Sequence, residues 1–357
     1  ARTCGFISAL GRHLHHLGLA CSQAGQLDTA VRHIRQAIEI ARVEEEGGAL
    51  ANRLNSLALL YQQASAYREA LDLLERAISI AKELGDDSRQ AAYLGNMAET
   101  YLALGDPAQA LDYSTRALAL AQKSGLRTIE ANEWSRAGTI HYSLGQLVEA
   151  VHCQETAHAI YLDTKDRTGE CHCLMQLGNC YSESGKSETA QHYLLRAQEI
   201  AEQIGERALH ARCLRNIAVV YIDEQAFEKG CWAANQALEI ARSIKDQLGE
   251  AQDLLHLGNI ELRIGQIQRA VDHYKAALAI AELLDTKTLA TQCLNNLGYA
   301  FHKQGRSTLG LHYCRQALQL AEACGMPSLT RAIQKSVAEI SVSLDTDTQK
   351  PLRQRWF

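Results

Sequence analysis

Proline is nearly absent from this 357-residue chain, which has only Pro107, Pro327 and Pro351. Aromatic residues make up 6% of it. β-Branched runs of alternating polarity are missing, so there is no strand signal. No apolar stretch reaches the roughly 18 residues that cross a bilayer, and no charged-then-apolar leader marks a secretory signal. Net positive charge is also lacking. The formal charge is −5 with both signs interspersed, whereas a general nucleic-acid binder is normally basic. The phosphate-binding loop G-x-x-x-x-G-K-[ST], the zinc-hydrolase pattern H-E-x-x-H and the nucleophile elbow G-x-S-x-G do not occur. The sequence therefore predicts no enzyme and no cofactor, and neither nucleic acid nor membrane as a partner.

What remains is a chain of helix formers, rich in Ala, Leu, Glu, Gln and Ile. Its eleven cysteines follow no disulfide framework, which predicts a reducing, cytoplasmic setting. The opening "ARTCGFISAL" reads as a helix met midway, and the chain is expected to be a piece of a longer protein.

An internal repeat organises the whole sequence. Stepping by 40 from Ala37 gives Ala77, Ala117, Ala157, Ala197, Ala237, Ala277 and Ala317, alanine every time. The series from Leu14 (Leu54, Leu94, Trp134, Leu174, Leu214, Leu254, Leu294) is always large and apolar. The series from Gly18 (Ala58, Ala98, Gly138, Gly178, Ala218, Gly258, Gly298) is always small. Each unit reads as two helices. Helix A buries a face through Leu174, Leu177, Gly178 and Tyr181, a 3.6-residue stripe. Gly185 marks a tight turn, and helix B runs from about Ser187 to Ile204 with Ala190, Leu194, Ala197, Ile200 and Ala201 inward. One helix pair cannot bury both faces, so stacked pairs must supply the core.

The order Leu174, Leu177, Gly178, Tyr181, Ala190, Ala197 resembles the tetratricopeptide repeat over residues 8–326, with units longer than the usual 34 residues. Units such as Asp246 to Ala281 also resemble those of the Pins/LGN polarity adaptors, of bacterial signal-transduction ATPases (STAND) and of caspase-like CHAT proteases. The resemblance implies an all-α, right-handed superhelical solenoid whose concave side holds ligands. The organisation expected is a helical lead-in at 1–10, eight units over 11–326, a capping helix over 327–344 and a flexible tail over 345–357.

Helix A has a second stripe, opposite the core, through His172, Gln176 and Asn179. The same stripe in other units carries Arg12 and His16, Asn96, Arg136, Arg212 and Asn216, His256, Asn259 and Arg263, and Asn296 and Lys303. Side-chain amides both donate and accept, so a row of them suits an extended backbone of any sequence. The arginines add charge-assisted contacts to carboxylates. The likeness to Pins/LGN implies partner-holding roles for Asn179 and Asn259 in the Leu-Gly-Asn triplet, Arg12 and Arg212 at the early arginine site, and Asn96, Asn216 and Asn296 between. Five basic residues on this stripe (Arg12, Arg136, Arg212, Arg263, Lys303) against three acidic ones (Glu99, Glu183, Asp223) tilt the expected partner towards an acidic or mixed peptide. The function expected is a non-catalytic module binding a peptide or protein in this groove. The alternative is the sensing C-terminal domain of a larger ATPase or protease whose effector domain lies outside this chain and is covalently joined to it in the full-length protein. An RNA-binding helical repeat is disfavoured by the charge balance and the sparse groove aromatics.

Other residues invite sharper readings that the repeat register tempers. Cys171, His172, Cys173 and Cys180 look like zinc ligands, but Cys171 occupies a position that is alanine in most units. Residues two apart on a helix point about 200° apart, and Cys173 and Cys180 are separated by about 10 Å along the axis, beyond ~2.3 Å zinc–sulfur bonds. No metal is expected there. Trp134 replaces a core leucine. His152, His192 and His312 share a position with Trp232 on a solvated helix B face. Trp356 and Phe357 end the tail.

Overall fold

The computed structural model describes residues 2–23, 25–64, 66–324 and 326–349. Among these residues there are seventeen α-helices and no strand. In chain order they are α1 (Arg2–Gln23), α2 (Leu27–Val43), α3 (Gly47–Gln63), α4 (Tyr67–Glu83), α5 (Asp87–Leu104), α6 (Pro107–Lys123), α7 (Arg127–Ser143), α8 (Leu147–Thr164), α9 (Arg167–Glu183), α10 (Ser187–Ile204), α11 (Arg207–Asp223), α12 (Phe227–Ile244), α13 (Gln247–Arg263), α14 (Ile267–Leu283), α15 (Lys287–Lys303), α16 (Ser307–Ala323) and α17 (Pro327–Gln349). Odd numbers are the A helices and even numbers the B helices. The chain forms two compact units, Ala1–Cys180 and Tyr181–Phe357.

The turns explain the even spacing. Among the described residues a left-handed backbone recurs every twenty positions, from Gly25 and Glu45 to Asp285 and Gly305. Nine of these residues are glycine and five are not, so glycine is preferred where a Cβ would be strained but is not required. Asp86, Asp106 and Asp246 cap α5, α6 and α13 by accepting from a backbone N–H three residues on. Two of the few prolines are also explained. Pro107 and Pro327 occupy the first positions of α6 and α17, where the missing N–H costs nothing.

Packing follows the sequence register. All eight alanines of the Ala37 series are fully buried. Trp134 is partly buried against Ala131, Ala157, Ile160, Tyr161 and Cys173. Within the first unit α1, α3, α5 and α7 touch one another in turn, and within the second α11, α13, α15 and α17 do so. No two B helices touch within either unit among the described residues. The A helices are therefore the closely spaced layer, and the stripe they turn away from the B helices is a continuous surface in each unit.

Residues 2–10 continue without a break into the first A helix as α1. The last helix runs to Gln349, beyond residue 344 where the flexible tail was expected to begin. Between Leu344 and Gln349 no Gly or Pro is present to stop it. The rest of the expected tail, with Trp356 and Phe357, lies outside the described residues.

In the last full repeat both small positions are glycine, and the backbones of α15 and α16 lie close together. A Cβ on Gly298 would lie 2.4 Å from Cys314 Sγ and 2.8 Å from the Gly310 carbonyl oxygen, and a Cβ on Gly310 would lie 2.5 Å from the Gly298 carbonyl oxygen. Backbone cannot give way as a side chain can. Gly298→Ala is therefore expected to destabilise the chain by about 1–3 kcal/mol, although alanine occupies the same position at Ala58, Ala98 and Ala218. A Cβ on Gly230 would meet only ordinary contacts, the nearest at 3.5 Å. Gly230→Ala should instead be neutral or stabilising by about 0.5–1 kcal/mol through helix propensity. Urea denaturation of the two variants, followed by circular dichroism, checks the contrast.

Candidate functional site

On the A-helix layer of the second unit lies a cleft of about 820 Å³. It is bounded by α11, α13 and α15, by the α13–α14 turn and the start of α14, and by Ser336 of α17. Five of the residues anticipated from the sequence line it: His256, Asn259, Arg263, Asn296 and Lys303. The stripe also contributes Val219, Asp223 and Tyr299 to the cleft. Arg212 and Asn216 lie on the same stripe of α11 outside the cleft lining, Arg212 exposed and Asn216 half-buried.

Small residues set the floor. A Cβ on Gly258 would come within 2.5 Å of the Tyr274 ring. The glycine of the Leu257-Gly258-Asn259 triplet thus lets a fully buried tyrosine from α14 pack against α13. The Tyr274 hydroxyl then donates to Asn259 Oδ1 at 2.8 Å, and Asn296 Nδ2 donates to the same oxygen at 2.9 Å. The Asn259 oxygen thus takes two donors from within the fold, and its NH₂ makes neither of these bonds. Tyr274, Asn295 and Ser336 were not anticipated as cleft residues. Tyr274 belongs to a B helix and Ser336 to the cap, while Asn295 stands on α15 one position before the stripe residue Asn296.

Charge in the cleft lies at its rim. Arg263, Lys303 and Asp223 are exposed and have no ion partner among the described residues; Lys303 Nζ sits 4.9 Å from the Tyr299 ring centroid. Outside the cleft lining, on the same helices, Arg215 and Asp253 form a buried two-point pair, Nε to Oδ1 at 2.6 Å and a terminal NH₂ to Oδ2 at 3.1 Å. Burial raises the Asp253 pKa, opposed by the hydrogen bond and charge of Arg215. His256 is the titratable group of the floor. Burial, reinforced by the Arg215 guanidinium, pushes its pKa down to about 4, so the ring is neutral at physiological pH.

In the first unit the anticipated residues are largely tied to neighbouring helices. Arg136 Nε donates to Glu99 Oε1 at 3.0 Å, and the same guanidinium pairs with buried Glu133. Asn96 Nδ2 donates to Asn55 Oδ1 at 2.7 Å. Gln176 Nε2 lies 3.5 Å from Thr139 Oγ1, and Asn179 Nδ2 donates to Gln176 Oε1 at 3.3 Å. Arg12 reaches Ser8 Oγ at 3.4 Å. His16 is exposed beside the His15 ring, and His172 is half-buried.

The thiols of the cysteine-rich stretch are core. Cys171, Cys173 and Cys180 are buried, and burial pushes the Cys173 pKa up to about 12 and that of Cys180 to about 11. Metal ligation and nucleophilic attack both need the thiolate. Among the described residues no group of three or more His, Cys, Asp or Glu side chains is placed to hold a metal ion. His15 Nε2 lies 2.8 Å from Ser56 Oγ, but that hydroxyl donates to the Asn52 carbonyl at 3.0 Å. The imidazole must then be the donor, not a base that activates the serine. No described helix is long and apolar enough to cross a membrane.

Fold and surface together define an all-α protein of tandem helix pairs. The chain belongs to the tetratricopeptide repeat family, whose profiles match residues 9–83, 50–123, 130–203 and 209–282 and residues 291–324. A comparison with curated protein sequences finds no match. Among solved structures, the apo form of the quorum sensor NprR from B. thuringiensis is similar with a TM-score of 0.64 at 15% identity, covering 88% of each chain. A signal-transduction ATPase with numerous domains and a tetratricopeptide repeat sensor, from Pyrococcus horikoshii, gives a TM-score of 0.61 at 15% identity, covering 90% of this chain and 50% of that one. A Rap protein complexed with competence and sporulation factor gives 0.61 at 13% identity, covering 94% of this chain and 99% of the other. At these identities the likeness is one of fold.

The low pKa of His256 has a consequence for stability. The folded state holds the ring neutral down to about pH 4, whereas the unfolded chain takes up a proton near pH 6.5. Stability is therefore lost as pH falls from about 6.5 to 4, by at most ~3 kcal/mol. His256→Gln removes that proton uptake. Its urea midpoint should fall less than that of the wild type between pH 7 and pH 4, which parallel titrations at the two pH values check.

Proposed function

We propose that this chain is a non-catalytic interaction module that binds an extended segment of a partner protein on its A-helix face, with the cleft of the second unit as the principal seat. The observation that carries this reading is the combination of an open cleft, a floor of amides with unused donors, and exposed cations without ion partners. Among the described residues Arg263 and Lys303 have no carboxylate ion partner, unlike Arg136, which Glu99 and Glu133 already hold. A peptide backbone supplies the acceptors that Asn259 lacks, and its side chains supply charge to the rim. Proteins of similar fold support a binding role: one is a quorum sensor, and the Rap protein is complexed with competence and sporulation factor. The cytoplasm suits thiols such as Cys153, Cys173, Cys293 and Cys314, which are free and buried.

A second reading makes the chain the sensing part of a larger signalling protein. The Pyrococcus ATPase favours it, because the similarity covers most of this chain and half of that one. The same face would then receive the signal, and an effector domain joined to this chain would read it out.

The test is partner capture by the wild type and by the Arg263→Ala/Lys303→Ala double variant. Both residues are exposed, so the variant should melt like the wild type. Charge-assisted hydrogen bonds contribute about 1.5–3 kcal/mol each. A protein identified on the wild-type chain by mass spectrometry should therefore bind the folded variant at least tenfold more weakly. Equal affinity would exclude the cleft as the seat, and salt-sensitive retention of RNA with no captured protein would replace the reading altogether.

A further inference from the structure

The rim of the cleft carries a pattern that the groove reading does not require. The last residue of the A-helix stripe recurs every 40 positions, and in the second unit it reads Glu183, Asp223, Arg263 and Lys303. All four are exposed, and none has an ion partner among the described residues. The three that line the cleft, Asp223, Arg263 and Lys303, stand at the same end of α11, α13 and α15, helices that touch in turn. The charge therefore changes sign once along the row, negative on α11 and positive on α13 and α15. An uncommitted acid next to uncommitted bases, without pairing, is a polarised rim.

Resting on the reading of this cleft as a peptide seat, we infer that its ligand is an extended peptide carrying both charges, with a basic side chain over Asp223 and an acidic one over Arg263 and Lys303. The spacing follows from the packing. Neighbouring helices lie roughly 9 Å apart and an extended chain advances about 3.3 Å per residue, so each helix step spans about three residues. From Asp223 to Arg263 is one step and to Lys303 two. The basic and acidic residues of the ligand are thus about three to six positions apart. The floor cannot make this selection. Asn259 and Asn296 are neutral amides, and they accept any backbone. A wholly acidic peptide would meet Asp223, and a wholly basic one would meet Arg263 and Lys303, each with like charge in contact.

The experiment pans random nine-residue peptides, displayed on phage, against the full chain and measures the selected peptides by fluorescence anisotropy. The selected peptides are expected to carry an acidic and a basic residue three to six positions apart, and neutralising either should weaken binding at least tenfold. Asp223→Lys should weaken the best peptide and recover when the peptide's basic residue is changed to glutamate. Arg263→Glu/Lys303→Glu should recover when its acidic residue is changed to lysine. Selected peptides that are uncharged or of one sign, yet lose binding with Asn296→Ala, would overturn the polarised rim and leave the groove. Peptides indifferent to every rim and floor substitution would overturn the groove reading as well.

Discussion

The close approach of helix A to helix B is the constraint on which the other features depend. It requires a small residue on both sides of each pair, and the structure shows how little room is left. Gly258 admits the ring of Tyr274 and nothing more, while Gly298 and Gly310 bring two backbones together. Because every pair closes at the same register, the helices of successive units keep the same rotation about their axes. The outward stripe of one A helix therefore lies beside the outward stripe of the next. Arg136 with Glu99, Gln176 with Thr139 and Asn296 with Asn259 all join residues 37 positions apart, which is the repeat less one turn of helix. That common offset would not survive a slipped pair.

These cross-repeat bonds divide the stripe into two populations with different physical roles. Some polar side chains close on one another and stiffen the row of A helices. Arg136 is held between one exposed and one buried carboxylate, and losing it would leave Glu133 buried with an uncompensated charge. Others remain open. Asn259 occupies both roles, with its oxygen taking two donors from within the fold while the residue lines the cleft. A surface that must recognise an extended chain benefits from this arrangement, because the recognising group is already fixed and loses little freedom on binding.

The fold was legible because its signal is redundant. Eight alanines in register and eight small residues in another series identify a helical repeat even if any single position misleads, and a helix pair with both faces apolar has no stable alternative to stacking. The stripe residues could also be named, since rotation per residue is fixed. What the sequence did not reveal was which of them were free. Whether Arg136 meets Glu99 depends on the spacing between helices, and nothing in the order of residues along one helix encodes it. Tyr274 was missed for a similar reason. It lies sixteen positions after Gly258, on a helix assigned to the core, and only packing shows that its hydroxyl reaches the floor of the cleft. Cys171 shows the register working in the other direction, because a position that is alanine in most units marked it as core, and the structure buries it.

The electrostatics of the cleft separate into layers. Arg215 and Asp253 lie beneath the surface as a closed pair, so they contribute stability and geometry but present little net charge. The field of Arg215 nonetheless adds to burial in keeping His256 neutral. The floor of the cleft is then uncharged: a neutral imidazole, the amides of Asn259, Asn295 and Asn296, and a tyrosine hydroxyl. Net charge begins at the rim, where side chains are solvated and screened within about 8 Å at physiological salt. On the proposed reading, a ligand would be held by neutral, sequence-tolerant hydrogen bonds below and sorted by short-range charge above. Changes at the rim would then alter which chain is chosen without disturbing the bonds from Tyr274 and Asn296 to Asn259, in which no rim residue takes part.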